Sequence, residues 1–149
     1  MASAMASYRV TAHVAAPPDR VFDLWVDLDR MKDWVRGVTK VTDVSGPVAQ
    51  AGTRYVVWFS GMKSPTEVLE AERPRVFRTK FGNWILRGEG GATFEPEGDG
   101  TRIVQDFRTE GWIAAVSSWL FSRGSYEGSF QGELNTFAKL AEREAGATQ

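Results

Sequence analysis

One histidine, no cysteine and nineteen carboxylates make up the chain's conventional chemical equipment. The missing cysteine removes disulfides, thiolate metal ligands, iron–sulfur clusters and cysteine nucleophiles. His13 shares a polar row with Arg9 and Thr11, and spacing places no carboxylate beside it, so a solvated imidazole is expected before a general base. That one histidine with scattered carboxylates is a poor donor set for zinc. Gly88-Glu89-Gly90-Gly91 falls inside a strand pattern, not before a helix, so it does not read as a phosphate loop. No serine sits in a nucleophile elbow. Catalytic residues stay unassigned, and neither metal nor cofactor is expected.

The carboxylates need a closer look. Asp23, Asp27, Asp29 and Asp33 cluster where short helices are expected, and a solvated face explains them without chemistry. Glu67 has two readings. If Glu67, Leu69 and Ala71 form the inner row of their strand, Glu67 beside aromatics becomes an acid/base candidate with a perturbed pKa. If Val68 points inward, Glu67 faces water.

A different kind of site is easier to see. Alternation puts charge on one side of Trp84–Phe94 and Thr101–Thr109 and leaves Trp84, Leu86, Gly88, Gly90, Ala92 and Phe94 facing Ile103, Gln105, Phe107 and Thr109. The neighbouring segment adds Phe77, Thr79 and Phe81. This inner row is large at its ends and nearly empty at Gly88 and Gly90. Glycine weakens a strand, so its presence there calls for space or for curvature. An apolar wall with a few polar groups describes a small-molecule pocket. Tyr55, Thr79 and Gln105 are the candidate polar groups, and an inward Gln105 amide would need a ligand, water or a neighbouring backbone group.

The elements that must position these residues follow from periodicity. Tyr8–Ala15 alternates with Val10, Ala12 and Val14 on one face, which predicts a strand. Pro17-Pro18 ends it, and Val21, Phe22, Trp25 and Val26 recur at helical spacing; a second short helix is expected from Asp29 through Trp34. Strands are predicted at Val38–Val44, Thr53–Ser60, Thr66–Glu72, Val76–Phe81, Trp84–Phe94 and Thr101–Thr109, punctuated by turn residues such as Gly46-Pro47, Gly61 and Gly82-Asn83. After Gly111, Val116, Leu120, Phe130, Leu134, Phe137 and Ala141 keep three-and-four spacing, which predicts one long amphipathic helix. Gly124, Gly128 and Gly132 form a stripe on it, marking a kink, tight packing on the sheet, or a cavity wall. Trp112 and Trp119 flank its apolar start, a candidate lid or docking surface.

Length bounds the chain to one domain, expected over residues 8–145 with a loose extension at 1–7 and a tail at 146–149. Eighteen basic against nineteen acidic residues leave a net charge of −1, without the basic excess of a nucleic-acid binder. The opening residues lack the basic and apolar regions of a signal peptide, and no run is long enough to span a bilayer. A soluble, cytoplasmic monomer or homodimer is expected.

Three passages resemble a known family. Val14-Ala-Ala-Pro-Pro-Asp-Arg-Val-Phe-Asp-Leu-Trp-Val-Asp-Leu-Asp-Arg-Met-Lys-Asp-Trp, Glu72-Arg-Pro-Arg-Val-Phe, and Gly100-Thr-Arg-Ile-Val with Leu134-Asn-Thr-Phe-Ala-Lys-Leu-Ala-Glu are similar to the START-like or SRPBCC superfamily, in particular its polyketide cyclase/dehydrase-like branch. The resemblance runs from about Tyr8 to Glu144. It implies an α+β, helix-grip (Bet v 1-like) fold: a curved antiparallel sheet of about seven strands around a long C-terminal helix, with two short helices after the first strand. A superfamily of carriers and enzymes fixes function poorly. The leading expectation is binding of a small hydrophobic ligand, a lipid, polyketide or aromatic metabolite, by Tyr55, Phe77, Thr79, Phe81, Trp84, Leu86, Gly88, Gly90, Ile103, Gln105, Phe107 and Trp119. The alternatives are a metal-free cyclase or dehydratase using the same cavity, and an interaction protein.

Overall fold

The computed structural model describes residues 5–59, 61–82, 87–110 and 123–147. Strand β1 (Met5–Val14) is followed by helix α1 (Pro18–Trp25) and a 3-10 helix (Leu28–Asp33). Strands β2 (Val38–Thr42), β3 (Arg54–Phe59), β4 (Met62–Glu72), β5 (Val76–Gly82), β6 (Arg87–Glu97) and β7 (Gly100–Glu110) come next, and helix α2 (Arg123–Ala147) closes the order. The sheet runs β1-β7-β6-β5-β4-β3-β2, with each pair antiparallel. This is the helix-grip arrangement.

Local chemistry accounts for the elements. Proline opens α1, where its missing N–H costs nothing, and Val21, Phe22, Leu24 and Trp25 bury one face. Gly61 and Gly98 take φ values of 84° and 61° in the β3–β4 and β6–β7 turns, a region L side chains avoid. Strand β1 opens at Met5, because its backbone pairs with β7 as far as Met5↔Glu110. Strand β4 opens at Met62, ahead of the alternation that reads from Thr66. Pro65 stands opposite Val56 of β3 within it.

Two expectations on facing are resolved. Val68 points inward and is 1% exposed, whereas Glu67 turns outward and pairs with Arg54 at 3.2 Å, so Glu67 is no interior acid. A bulge between Val68 and Glu70 returns Ala71 to the inner side and leaves Leu69 exposed. Gly132 has open space around it and is exposed, so this member of the glycine stripe neither packs on the sheet nor shapes a cavity.

Helix α2 is gripped along its described length. Gln131 Nε2 donates to the Thr11 carbonyl, Glu133 accepts the Arg36 N–H, Glu142 accepts the Ala15 N–H and Glu144 pairs with Arg30. Beneath it the interior has two halves. Phe137, fully buried, touches Trp25 and Trp34 at centroid distances of 5.0 and 4.9 Å, and Trp25 continues to Phe94 at 5.5 Å. Phe22 seals Phe77 and Phe94. The other half holds Phe81, Phe107 and Phe130, which are only half-buried.

That division predicts unequal costs of truncation. Phe137→Ala is expected to lose about 3–5 kcal/mol, the range for a closed aromatic core. Phe130→Ala is expected to lose less than half as much. Urea denaturation of the two variants checks this.

Candidate functional site

The inward row is legible as register. Tyr8, Phe107, Gly90 and Thr79 face one another across β1, β7, β6 and β5; one step on lie Val10, Gln105, Ala92 and Phe77, and then Ala12, Ile103 and Phe94. Phe77 and Ile103 belong to the closed half, among fully packed neighbours. The half-buried set is Thr79, Phe81, Gly88, Gln105 and Phe107. Phe81 stacks on Phe107 at 5.1 Å, Phe107 meets Phe130 of α2 at 4.9 Å, and Phe130 reaches Tyr8 at 5.4 Å. An aromatic file thus crosses from sheet to helix. Trp84, Leu86 and Trp119 lie outside the described residues, as does the Trp112–Phe121 segment.

Gly90 has a different role from the one its sequence context suggests. A Cβ there would stand 3.0 Å from Phe107 Cδ2, so the space the glycine leaves is taken by the Phe107 ring. Gly90 makes room for an aromatic neighbour. Gly88, Phe81 and Tyr55 share a concavity of about 820 Å³ at one end of β3–β7 with Thr66 and a charged row on the opposite sheet face.

The charges that mark the outer face in the sequence line up as one row across the strands. Arg54, Glu67, Lys80, Glu89 and Arg108 stand opposite one another on successive strands, with Arg54–Glu67 at 3.2 Å and Arg108–Glu89 at 3.9 Å. Alternating signs across strands stabilise a sheet. The charges answer one another, and the row reads as a zipper across the strands.

Polar atoms of the interior are few. Burial pushes the Tyr55 phenol well above its ordinary pKa, which keeps the hydroxyl protonated. Gln105 is half-buried, and its amide makes no hydrogen bond among the described residues. Trp34 Nε1 is buried without a partner among the described residues, an orphan donor that its sequence context does not signal. Glu133 is also raised, chiefly by desolvation, against the opposing Arg36 N–H bond. His13 faces outward as expected, with Nδ1 2.7 Å from Glu97 on the exposed side of the sheet. Asp23 holds Arg73 through two bonds, and Asp33 holds Arg30. These aspartates work as surface ion-pair partners. Among the described residues no three His, Cys, Asp or Glu side chains could share a metal ion, and no helix is long and apolar enough to cross a membrane.

Comparison with known proteins agrees with this geometry. The family model described as polyketide cyclase / dehydrase and lipid transport matches residues 5–142. A protein of Thermus thermophilus, TTHA0849, superposes with a TM-score of 0.68 at 22% identity, covering 94% of this chain and 99% of that one. A norcoclaurine synthase point mutant from Thalictrum, solved with a transition-state analogue, gives 0.68 at 12% identity, over 97% and 98%. Ara h 8.0201 gives 0.64 at 11%, over 93% and 98%. At these identities the structures establish the fold alone. A search of curated proteins found no match by sequence.

Glu133 offers a pH test. Its folded pKa lies above the ordinary carboxylate value of 4.5, so ionisation opposes folding at neutral pH and protonation relieves it. Glu133→Gln, which keeps an acceptor for Arg36, should therefore stabilise the protein at pH 7. The gain should fade as pH falls through the raised folded pKa toward that ordinary value and be absent well below it, measured by denaturation across pH.

Proposed function

Because the chain belongs to the polyketide cyclase/dehydrase and lipid transport family, we propose that it binds one small hydrophobic molecule between the sheet and α2. The observation that carries this reading is the aromatic file Phe81–Phe107–Phe130, inward-facing and only half-buried while Phe22, Phe94 and Phe137 a few residues away are sealed. A sheet face of large apolar side chains left partly open, with few polar groups, suits a lipid, polyketide or aromatic metabolite. Phe81 and Phe107 offer stacking faces, Thr79 and Gly88 set the width, and Gln105 and Tyr55 supply an amide and a protonated hydroxyl to the ligand's polar end. Trp84, Leu86 and Trp119 complete the proposed lining on sequence grounds.

A second reading, a cyclase or dehydratase in the same space, has one observation in its favour. A buried phenol, as Tyr55 is, can donate a hydrogen bond to a carbonyl where water is excluded. Tyr55→Phe separates the readings: it leaves a carrier's retention largely intact but removes most of the turnover of a linear polyketide by an enzyme.

Native mass spectrometry of gently purified protein is the direct test. A bound apolar species is expected in the wild type. Paired Phe81→Ala and Phe107→Ala substitutions should lower its occupancy about tenfold or more. Gln105→Leu should shift which species is retained, toward ligands without a polar end. A wild-type spectrum with no adduct under conditions that preserve known carriers would remove the proposal.

A further inference from the structure

The β3–β4 hairpin ends in two large apolar side chains that stay exposed. Phe59 and Met62 pair across the turn and are 41% and 47% exposed. On the other face of the same hairpin, the Trp58 ring lies between Lys40 and Lys63, whose ammonium groups stand 4.4 and 4.9 Å from its centroid. Trp58 Nε1 donates to Thr42 Oγ1 at 2.9 Å, which fixes the ring edge.

Charge at this corner departs from the rest of the chain. Among residues 38–42, 55–59 and 62–66, Lys40 and Lys63 are the charged side chains, so a protein of net −1 carries +2 at its hairpin tip. Two apolar side chains at a turn fall far short of the roughly 800 Å² per partner that a specific protein interface buries. Two copies meeting tip to tip would bring like charges together. An anionic lipid surface meets neither objection. Phe59 and Met62 can enter the headgroup–acyl boundary while the lysines stay among the phosphates and Trp58 sits at interfacial depth.

We propose that the β3–β4 hairpin docks this protein, peripherally and reversibly, on anionic membrane surfaces. Docking there needs no ligand in the interior. A protein that retains an apolar adduct yet ignores vesicles would lose this inference and keep the preceding one.

The cysteine-free chain makes the test clean. An environment-sensitive fluorophore is attached through Met62→Cys, and as control through Asp99→Cys, exposed in the β6–β7 turn at the opposite end of the sheet. With phosphatidylcholine vesicles containing phosphatidylserine at low salt, the hairpin label should blue-shift and brighten at least about twofold, and the control label should not. Lys40→Glu with Lys63→Glu should weaken partitioning about tenfold or more, as should high salt. An unchanged hairpin label, an equal response of both labels, or equal binding to pure phosphatidylcholine would overturn the proposal. An acidic protein as the true partner would appear as the first of these.

Discussion

Phe137 wedges between Trp25 and Trp34, and the placement of everything else follows from that contact. A helix laid on a concave sheet cannot touch it evenly along its length, so one stretch must be bolted down. The bolt here is Leu134, Phe137, Ala138, Leu140 and Ala141 against α1, the 3-10 helix and the sheet. Burial of that patch, not the low intrinsic helicity of a glycine-containing segment, holds α2 in position. The acidic side chains Glu133, Glu142 and Glu144 add polar ties to backbone N–H groups and Arg30 at the same level. Ahead of Leu134 the helix offers Phe130 to the sheet, where it meets Phe107 and Tyr8.

The two halves of the interior therefore have different energetics. In the closed half each ring is surrounded, and loss of a side chain leaves a void that dense packing cannot heal. In the half-open one the rings keep apolar surface that the described residues leave partly uncovered. The same contrast holds for polar atoms. Buried polar groups ordinarily find partners, yet the Tyr55 hydroxyl, the Gln105 amide and Trp34 Nε1 are left to water or to a guest among the described residues. Outside, by contrast, carboxylates and cations answer each other strand by strand, from Arg54 to Arg108.

Much of this was legible in the sequence because the sheet obeys period two. Val10, Ala12 and Val14 against Arg9, Thr11 and His13 gave the right inner face, and the charges of β6 and β7 marked the outer one. The register of β4 was not legible, since the bulge after Val68 breaks the alternation that would have revealed it. Gly90 misled for a related reason. An empty inner position implies space, but only coordinates show that the Phe107 ring of the adjacent strand lies across it. Phe77 and Ile103 looked like pocket wall because alternation reports which face a side chain takes, not what stands over it. The Phe22 ring from α1 stands over Phe77, a contact fixed by tertiary packing alone. The Trp34 donor was missed because a tryptophan after a short helix signals core, and nothing in its neighbours says whether its N–H will be met.

The proposed guest would lie beside Thr79, between the aromatic file and α2. Titration of an apolar fluorescent dye into wild-type protein and Thr79→Phe measures that space directly, with urea denaturation of both as the control for folding. Saturable binding by the wild type, weakened about tenfold or more in a variant of unchanged or higher stability, is the predicted result. Equal dye binding by the two proteins, or a Thr79→Phe chain destabilised by overpacking, would show the interior already full and contradict it.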